Sequence, residues 1–232
     1  MFLYNTSYLI FMLPAFILIM LAQVYVSSSY NKWSRVANRS GLSGAEVARR
    51  LVERGGLSDV EVEQVSGRLS DHYDPRRKVL RLSAGVAQSS SVAAAAIAAH
   101  ELGHAVQDRE DYFPLRLRAA LVPAVNIGSY LGWILLMIGF ALRYTELAWL
   151  GVAVFAGGAV FALATLPVEL NASARARQLL STAGIITSEE ERAGVNTVLN
   201  AAALTYVAAL FAAILQLLYY ASLVFGMGGR RR

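Results

Sequence analysis

Four long apolar runs separated by polar segments dominate this chain of 232 residues. The first is Leu9 to Val26, and the next two lie between Arg118 and Arg143 and between Glu146 and Glu169. The fourth, Leu199 to Phe225, is long enough to cross a bilayer with some tilt. Each run has about the length that a membrane-spanning helix needs, roughly 20 residues. The pattern predicts a mostly α membrane protein with four transmembrane helices.

Alternative interpretations of these runs are less consistent with the sequence. A secretory signal peptide would have Lys or Arg before a shorter apolar core, whereas residues 1–31 carry no charge. The first run therefore favours a retained anchor. An all-α soluble core is the other alternative, but four such runs in one small chain disfavour it. Small residues in the third run suit close packing of membrane helices: Gly151, Gly157, Gly158 and Ala162.

The polar part of the chain, residues 32–118, has shorter periodic segments. A capping box, Ser43-Gly44-Ala45-Glu46, precedes an apolar stripe at helical spacing, and Gly55-Gly56 ends that helix. Strands are predicted for Val60 to Glu63, Arg68 to Tyr73 and Lys78 to Ser83, with a turn at Asp74-Pro75 between the last two. The order predicts a small α+β unit, with a short sheet beside the helix that follows.

Composition narrows the class of protein. The chain is 56% hydrophobic and 16% charged, against a usual charged share of about 25%. A net charge of +5 is compatible with nucleic-acid binding, but the apolar bias favours a bilayer as the partner, so no nucleic-acid partner is expected. The sequence has no cysteine, so a metal site would have to use His, Asp, Glu or water.

The runs divide the chain into five predicted segments. These are an N-terminal transmembrane anchor (1–31), a polar unit (32–118), a transmembrane hairpin (119–168), a second polar segment (169–198), and a C-terminal transmembrane helix with a basic tail (199–232). Four crossings place both polar segments on one side, with 17 of the 21 Lys and Arg residues. The positive-inside rule then predicts that this side is cytoplasmic, although the tail Arg230-Arg231-Arg232 argues the other way.

Two of the three histidines lie four residues apart in Ala99-His100-Glu101-Leu102-Gly103-His104. Positions i and i+4 share one face of an α-helix, so both imidazoles can bind one ion. This is the HExxH pattern, in which two His residues bind zinc and the Glu is the general base of peptide hydrolysis. Ser91 is a suitable N-cap, and the alanine-rich run after it predicts a buried helix. A chance match, with structural histidines, is the alternative.

A catalytic zinc site normally has a third protein ligand. Glu169 is the best candidate, because it is a lone carboxylate at the end of the third apolar run, on the same predicted side as the histidines. The alternative is an interfacial Glu paired with Arg175 or Arg177. Asn171 and Ser173 are candidates to hydrogen-bond the ligands.

The third histidine, His72, lies with Tyr73 on a predicted strand. An edge strand can pair with a substrate backbone, and either side chain could then donate a hydrogen bond to a tetrahedral oxyanion. The alternative is that both are structural residues of a hairpin.

Several blocks together resemble the YugP-like family of membrane-bound neutral zinc metallopeptidases. They are the N-terminal apolar helix, Ser70-Asp71-His72-Tyr73-Asp74-Pro75-Arg76, Val79-Leu80-Arg81-Leu82-Ser83, the block from Ala99 to Gln107, and Leu166-Pro167-Val168-Glu169-Leu170-Asn171-Ala172-Ser173. The resemblance implies a bacterial inner-membrane protein with a zinc site on the cytoplasmic side. The HtpX-like proteases share the plan of HExxH plus a later Glu, but they carry Asp where this chain has Ser173.

Together these observations predict a cytoplasmic, zincin-like α+β unit that contains the HExxH helix and is held by four transmembrane helices. The hypothesis is a Zn²⁺-dependent endopeptidase that cleaves membrane or unfolded polypeptides with metal-activated water, with His100, His104 and Glu169 as ligands and Glu101 as base. A metal-binding membrane scaffold without turnover is the alternative. An intramembrane protease fits less well, because the HExxH segment is short and flanked by charge. The sequence predicts no oligomeric state.

Overall fold

The computed structural model describes residues 6–67 and 70–228 and is mainly helical. The elements in chain order are α1 (Thr6–Trp33), α2 (Gly44–Arg54), β1 (Glu61–Val65), β2 (His72–Asp74), β3 (Val79–Ser83), α3 (Ala84–Ala87), α4 (Val92–Arg109), α5 (Phe113–Ala141), α6 (Thr145–Phe155), α7 (Gly157–Thr182) and α8 (Glu189–Gly228). The predicted basic tail lies outside the described residues. The chain forms two units, one built from residues up to Leu21, 116–167 and from Thr205 onward, the other from 22–115 and 168–204.

The first unit, here called the apolar unit, contains most of the long apolar helical segments. Four helical stretches in the described residues are long and apolar enough to cross a membrane: Thr6–Trp33, Phe113–Ala141, Thr145–Thr182 and Glu189–Met227. Only 11% to 22% of each apolar window is buried against protein. Large side chains such as Ile10, Ile127 and Phe225 are therefore exposed, as expected for helices whose solvent is lipid. This agrees with the four predicted runs.

The third run differs from the single uninterrupted helix that its sequence predicted. A break at Ala156 separates α6 from α7, immediately before Gly157 and Gly158, whose low helix propensity explains its position. Neither glycine is at a close helix contact, contrary to the prediction. Gly151 is at a close helix contact, as predicted, because a Cβ there would lie 2.6 Å from the backbone nitrogen of Leu136 in α5.

The second unit, here called the polar unit, contains the sheet and α4. β3 is the central strand, parallel to β1 and antiparallel to β2, and both β2 and β3 contact α4. The predicted capping box is present, since Ser43 and Glu46 bond each other's backbone at the start of α2. Its core packs α2 and β3 against α4 and buries Leu51, Leu80 and Leu102.

The strand predicted for Arg68 to Tyr73 is shorter and shifted. β2 begins at His72, and Arg68 and Leu69 lie outside the described residues. The Asp71 carboxylate accepts hydrogen bonds from the backbone N–H of Ser83 (2.7 Å) and from its hydroxyl. Because the Ser83 backbone N–H already donates to the Asp71 side chain, it is not available to pair with a longer β2, and the β2–β3 ladder ends at the His72–Arg81 pair. The first strand also runs further than predicted, to Val65.

Candidate metal centre

Helix α4 carries both histidines of the HExxH pattern. Ser91 caps it by accepting a hydrogen bond from the backbone N–H of Ala94, as predicted, and the alanines that follow are buried. The His100 and His104 rings lie side by side, with centroids 5.0 Å apart. Glu101 projects about 100° further round the helix than His100. The helix therefore presents two imidazoles on one face with a carboxylate beside them.

Helix α7 brings Glu169 to this pair, although 65 residues of chain separate it from His104. Its Oε2 lies 3.3 Å from Nε2 of His100 and 3.6 Å from Nε2 of His104. The carboxylate is 3% exposed, whereas the imidazoles keep 13% and 14% of their side-chain surface. Glu169 is thus the most buried of the three side chains, and both imidazoles keep part of their surface exposed.

Glycine at position 103 permits this close approach of the two helices. A Cβ at Gly103 would lie 2.5 Å from the carbonyl oxygen of Ala172, well inside van der Waals contact. Any larger residue would therefore push α7 away from α4. Because Ala172 is one turn beyond Glu169 on the same helix, this contact sets the distance between the carboxylate and the imidazoles.

Gln107 fixes the orientation of His104. Its amide nitrogen donates to the carbonyl oxygen of Val168 (2.8 Å), which can only accept, and to Oδ1 of Asn171 (2.9 Å). Its Oε1 then faces Nδ1 of His104 at 3.0 Å, so Nδ1 must carry the proton and donate. When the ring is neutral, the lone pair of His104 is therefore on Nε2, which is the nitrogen that faces Glu169.

The other imidazole has an equivalent partner. The Ser173 hydroxyl lies 3.2 Å from Nδ1 of His100, one helical turn after Glu169 on α7. A hydroxyl oxygen can accept a hydrogen bond from a protonated Nδ1 and leave Nε2 of His100 free to bind a cation. The contact confirms the prediction that Ser173 hydrogen-bonds one of the candidate ligands.

The surroundings favour a positive charge at His104. Burial lowers the pKa of His104, but the hydrogen bond with Glu169 and the charges of Glu101 and Glu169 outweigh it, so the pKa is above its usual value. Arg175 and Arg177, the alternative partners predicted for Glu169, have hydrogen bonds with other residues. Arg175 donates to Glu110 and Asn171, and Arg177 donates to Asn196 and Asn200.

The three side chains fit a tetrahedral zinc ion. Zinc bound to nitrogen and oxygen at about 2.0–2.1 Å requires ligand atoms about 3.3–3.4 Å apart. The two distances from Glu169 match this spacing, and all three donor atoms lie within 4.8 Å of one another. Donors of this type, two imidazoles and a carboxylate, are those of a catalytic zinc site with a fourth position for water.

His72 and Tyr73 are held by other partners. Nδ1 of His72 lies 2.8 Å from the carbonyl oxygen of Ser70, and the ring neighbours Arg81. The Tyr73 hydroxyl donates to Asp108, one turn beyond His104, at 3.0 Å. Burial and this bond raise the pKa of Tyr73 above its usual range. Tyr73 therefore anchors β2 to α4, and a role in oxyanion binding stays a prediction for both residues.

The sequence alone did not indicate the contacts that Gln107 and Asn171 make near the histidines. Gln107 was visible as a polar residue at i+3 from His104 on a buried alanine-rich helix, but its partners belong to α7. Asn171 was expected to bond a metal ligand directly, and instead it reaches His104 through Gln107.

Comparisons with known proteins identify the family of this chain. The family described as "Putative neutral zinc metallopeptidase" matches residues 8–225. The chain is 47% identical over 199 residues to "Putative membrane protease YugP" of Bacillus subtilis (strain 168), covering 86% of this chain and 88% of that protein. No solved structure matches. The match over nearly the whole chain shows that this protein belongs to the neutral zinc metallopeptidase family that carries that description.

Proposed function

We propose that this protein is a zinc-dependent membrane endopeptidase with its metal held by His100, His104 and Glu169. The observation that carries the proposal is the spacing of the three donor atoms, which suits a tetrahedral ion. Zinc at this position would supply Lewis acidity toward a water molecule and a peptide carbonyl. The three-stranded sheet beside α4 supports a zincin-like arrangement of the polar unit.

The chain's own residues account for the proton transfers. Glu101 is next to His100 on α4 and half-buried, so its carboxylate can accept a proton from the attacking water. The same carboxyl group then donates that proton to the leaving amide nitrogen, which breaks the peptide bond. Gln107 and Ser173 keep the two imidazoles in the tautomer that ligation needs.

The substrate class that this arrangement favours is an extended polypeptide. Within the described residues, β2 pairs with β3 on one side only, so it is an edge strand, and it contacts α4. A substrate backbone could add to this edge and pass the exposed surface of the histidine pair. Membrane proteins and unfolded chains present extended segments of this kind. The long apolar helices would hold the enzyme in the same bilayer as its membrane substrates.

The experiment that tests the function compares wild type with Glu101→Gln. Both purified proteins are expected to hold equal zinc, while cleavage of an unfolded membrane protein falls at least about 100-fold, as expected for loss of general-base catalysis. Glu53→Gln, an exposed position on α2, is the matched control and should cleave normally. Cleavage by Glu101→Gln at the rate of the wild-type protein would contradict the proposal. Normal zinc content with no cleavage by wild type or either variant would favour the scaffold alternative.

We further propose that the polar unit faces the cytoplasm of a bacterial inner membrane. The support is the excess of Lys and Arg in its two polar segments. Because the sequence has no cysteine, a single introduced cysteine is the only thiol that can react with a labelling reagent. A membrane-impermeant maleimide should label Glu146→Cys, in the first turn of α6, in cells whose outer membrane has been opened. It should label Arg76→Cys, between β2 and β3, only in inverted vesicles. The reverse pattern would overturn the orientation.

A further inference from the structure

A polar cavity lies between the C-terminal part of α7 and the first turns of α8, within the polar unit. Its volume is about 420 Å³, within the range of about 300–1,000 Å³ typical of ligand sites. The polar side chains that line it are Arg177, Gln178, Ser181, Arg192 and Asn196. None of them takes part in the candidate metal centre, so this cavity requires its own explanation.

The cavity is electropositive. Arg177 donates to Oδ1 of Asn196 and of Asn200, both at 2.7 Å, and these neutral amides hold the guanidinium without cancelling its charge. Arg192 pairs with Glu189, but both partners are at least half exposed, and such pairs contribute little free energy. No Asp or Glu is among the described residues that line the cavity. Two guanidinium groups, two amides and a hydroxyl therefore line a site that an anion could occupy.

The position of the cavity along the chain suggests the kind of anion. Its residues, 177–196, lie between the apolar run that ends at Val168 and the one that begins at Leu199. Both helices belong to stretches that are long enough to cross a membrane. A basic pocket between membrane helices is typical of sites that bind phospholipid head groups. Arginine is well suited to phosphate, since its planar fork can bind two oxygens at once.

We propose that this cavity binds the phosphate of an anionic phospholipid head group. Arg192 and Arg177 supply the charge, and Ser181, Gln178 and Asn196 surround it with neutral donors. Bound lipid would then link the ends of α7 and α8, which already meet through Arg177 and the two asparagines. The proposal is independent of the peptidase activity, because it uses no residue of the metal centre.

The test measures binding of phosphatidylglycerol to the full-length protein in neutral detergent by native mass spectrometry. Arg192→Gln removes one charge without breaking the Arg177 contacts, and its affinity should fall about fivefold, the effect of one basic residue on an anionic lipid. Ser181→Phe keeps every charge but fills the cavity, and its affinity should fall at least as much. Arg50→Gln removes an exposed charge on α2 and serves as the matched control with wild-type affinity.

Two further arms separate the possible sources of phosphate. Phosphatidylcholine, which has no net charge, should bind at least fivefold more weakly than phosphatidylglycerol, and millimolar inorganic phosphate should leave the bound lipid in place. Displacement of the lipid by inorganic phosphate would assign the site to a free anion and overturn the proposal. Equal phosphatidylglycerol binding by wild type, Arg192→Gln and Ser181→Phe would overturn it as well, as would an equal loss in Arg50→Gln.

Discussion

Substitution of Gly103 by alanine tests how the two helices form the metal centre. The new Cβ would lie 2.5 Å from the Ala172 carbonyl oxygen, where ordinary contacts begin at 3.4 Å, so α4 and α7 must separate by roughly 0.9 Å. Glu169 is on α7 and would move with it. Zinc–ligand distances tolerate deviations of only about 0.2 Å. A displacement several times larger should lower zinc affinity strongly, by about 10-fold to 100-fold if side chains readjust in part.

The stability of this variant should change much less than its metal affinity. Overpacking costs about 1–3 kcal/mol, but alanine is about 1 kcal/mol more favourable than glycine inside a helix. The two effects oppose each other, so Gly103→Ala should fold and remain purifiable. The assay is competition for zinc with a chelator of known affinity, together with thermal unfolding of the metal-free protein.

Gly85→Ala is the matched control for this experiment. It is the same substitution in the same unit, and its Cβ would meet only the Tyr30 hydroxyl oxygen at 3.5 Å, an ordinary contact. It should bind zinc as wild type does. Wild-type zinc affinity in Gly103→Ala would refute the claim that the α4–α7 contact sets the metal geometry. Equal losses in both alanine variants would show that the effect is not specific to this contact.

Three further substitutions test individual contacts. Gln107→Leu removes the amide that orients the second histidine, and chelator competition should show a loss of zinc affinity of about 10-fold to 100-fold. Tyr73→Phe removes the hydrogen bond to Asp108 and should lower the free energy of unfolding by about 1 kcal/mol with cleavage retained; a 100-fold loss of cleavage at normal stability would instead identify Tyr73 as an oxyanion donor. Ser43→Ala removes the α2 cap and should cost about 1 kcal/mol at pH 7. Because the hydrogen bond from the Ser43 hydroxyl lowers the pKa of Glu46, denaturant titrations should show this difference shrinking as the pH falls below 4.5, and a constant difference would contradict the bond between the Ser43 hydroxyl and the Glu46 carboxylate.

Local signals in the sequence predicted local structure well. The Ser43–Glu46 capping box and the Ser91 cap are both present, because each depends only on residues three positions apart. The apolar runs predicted the four long helical stretches, since lipid-exposed helices must be apolar over their whole length. These features need no knowledge of distant parts of the chain.

Strand limits and helix breaks were predicted less well, for reasons that lie outside each segment. β2 starts late because the Asp71 carboxylate takes the Ser83 backbone N–H that a longer ladder would use. Gly157 and Gly158 were interpreted as packing positions, but they follow a break between α6 and α7, and they have no close neighbour. Composition alone could not distinguish a glycine at a contact from a glycine at a break.

In the candidate site, too, features encoded by nearby residues were predicted better than contacts between distant parts of the chain. The i, i+4 spacing of His100 and His104 predicted two imidazoles on one helical face, and the structure has them there. The approach of Glu169 was inferred from the cost of a lone carboxylate near lipid, and the residue lies beside both rings. Ser173 was predicted as a hydrogen-bond partner of a ligand, and it lies 3.2 Å from Nδ1 of His100. Gln107 was not predicted, because its amide is oriented by Val168 and Asn171 of α7, a long-range contact that no short sequence pattern encodes.

Zinc content of the purified protein tests the central claim most directly. Elemental analysis of wild type and of Glu169→Ala, with Glu53→Ala as the control for loss of an exposed carboxylate, compares ligand and non-ligand positions under the same conditions. The account predicts about one zinc per chain in wild type and in Glu53→Ala, and little or none in Glu169→Ala. Full zinc occupancy in Glu169→Ala would contradict the assignment of this carboxylate to the metal and, with it, the proposed site.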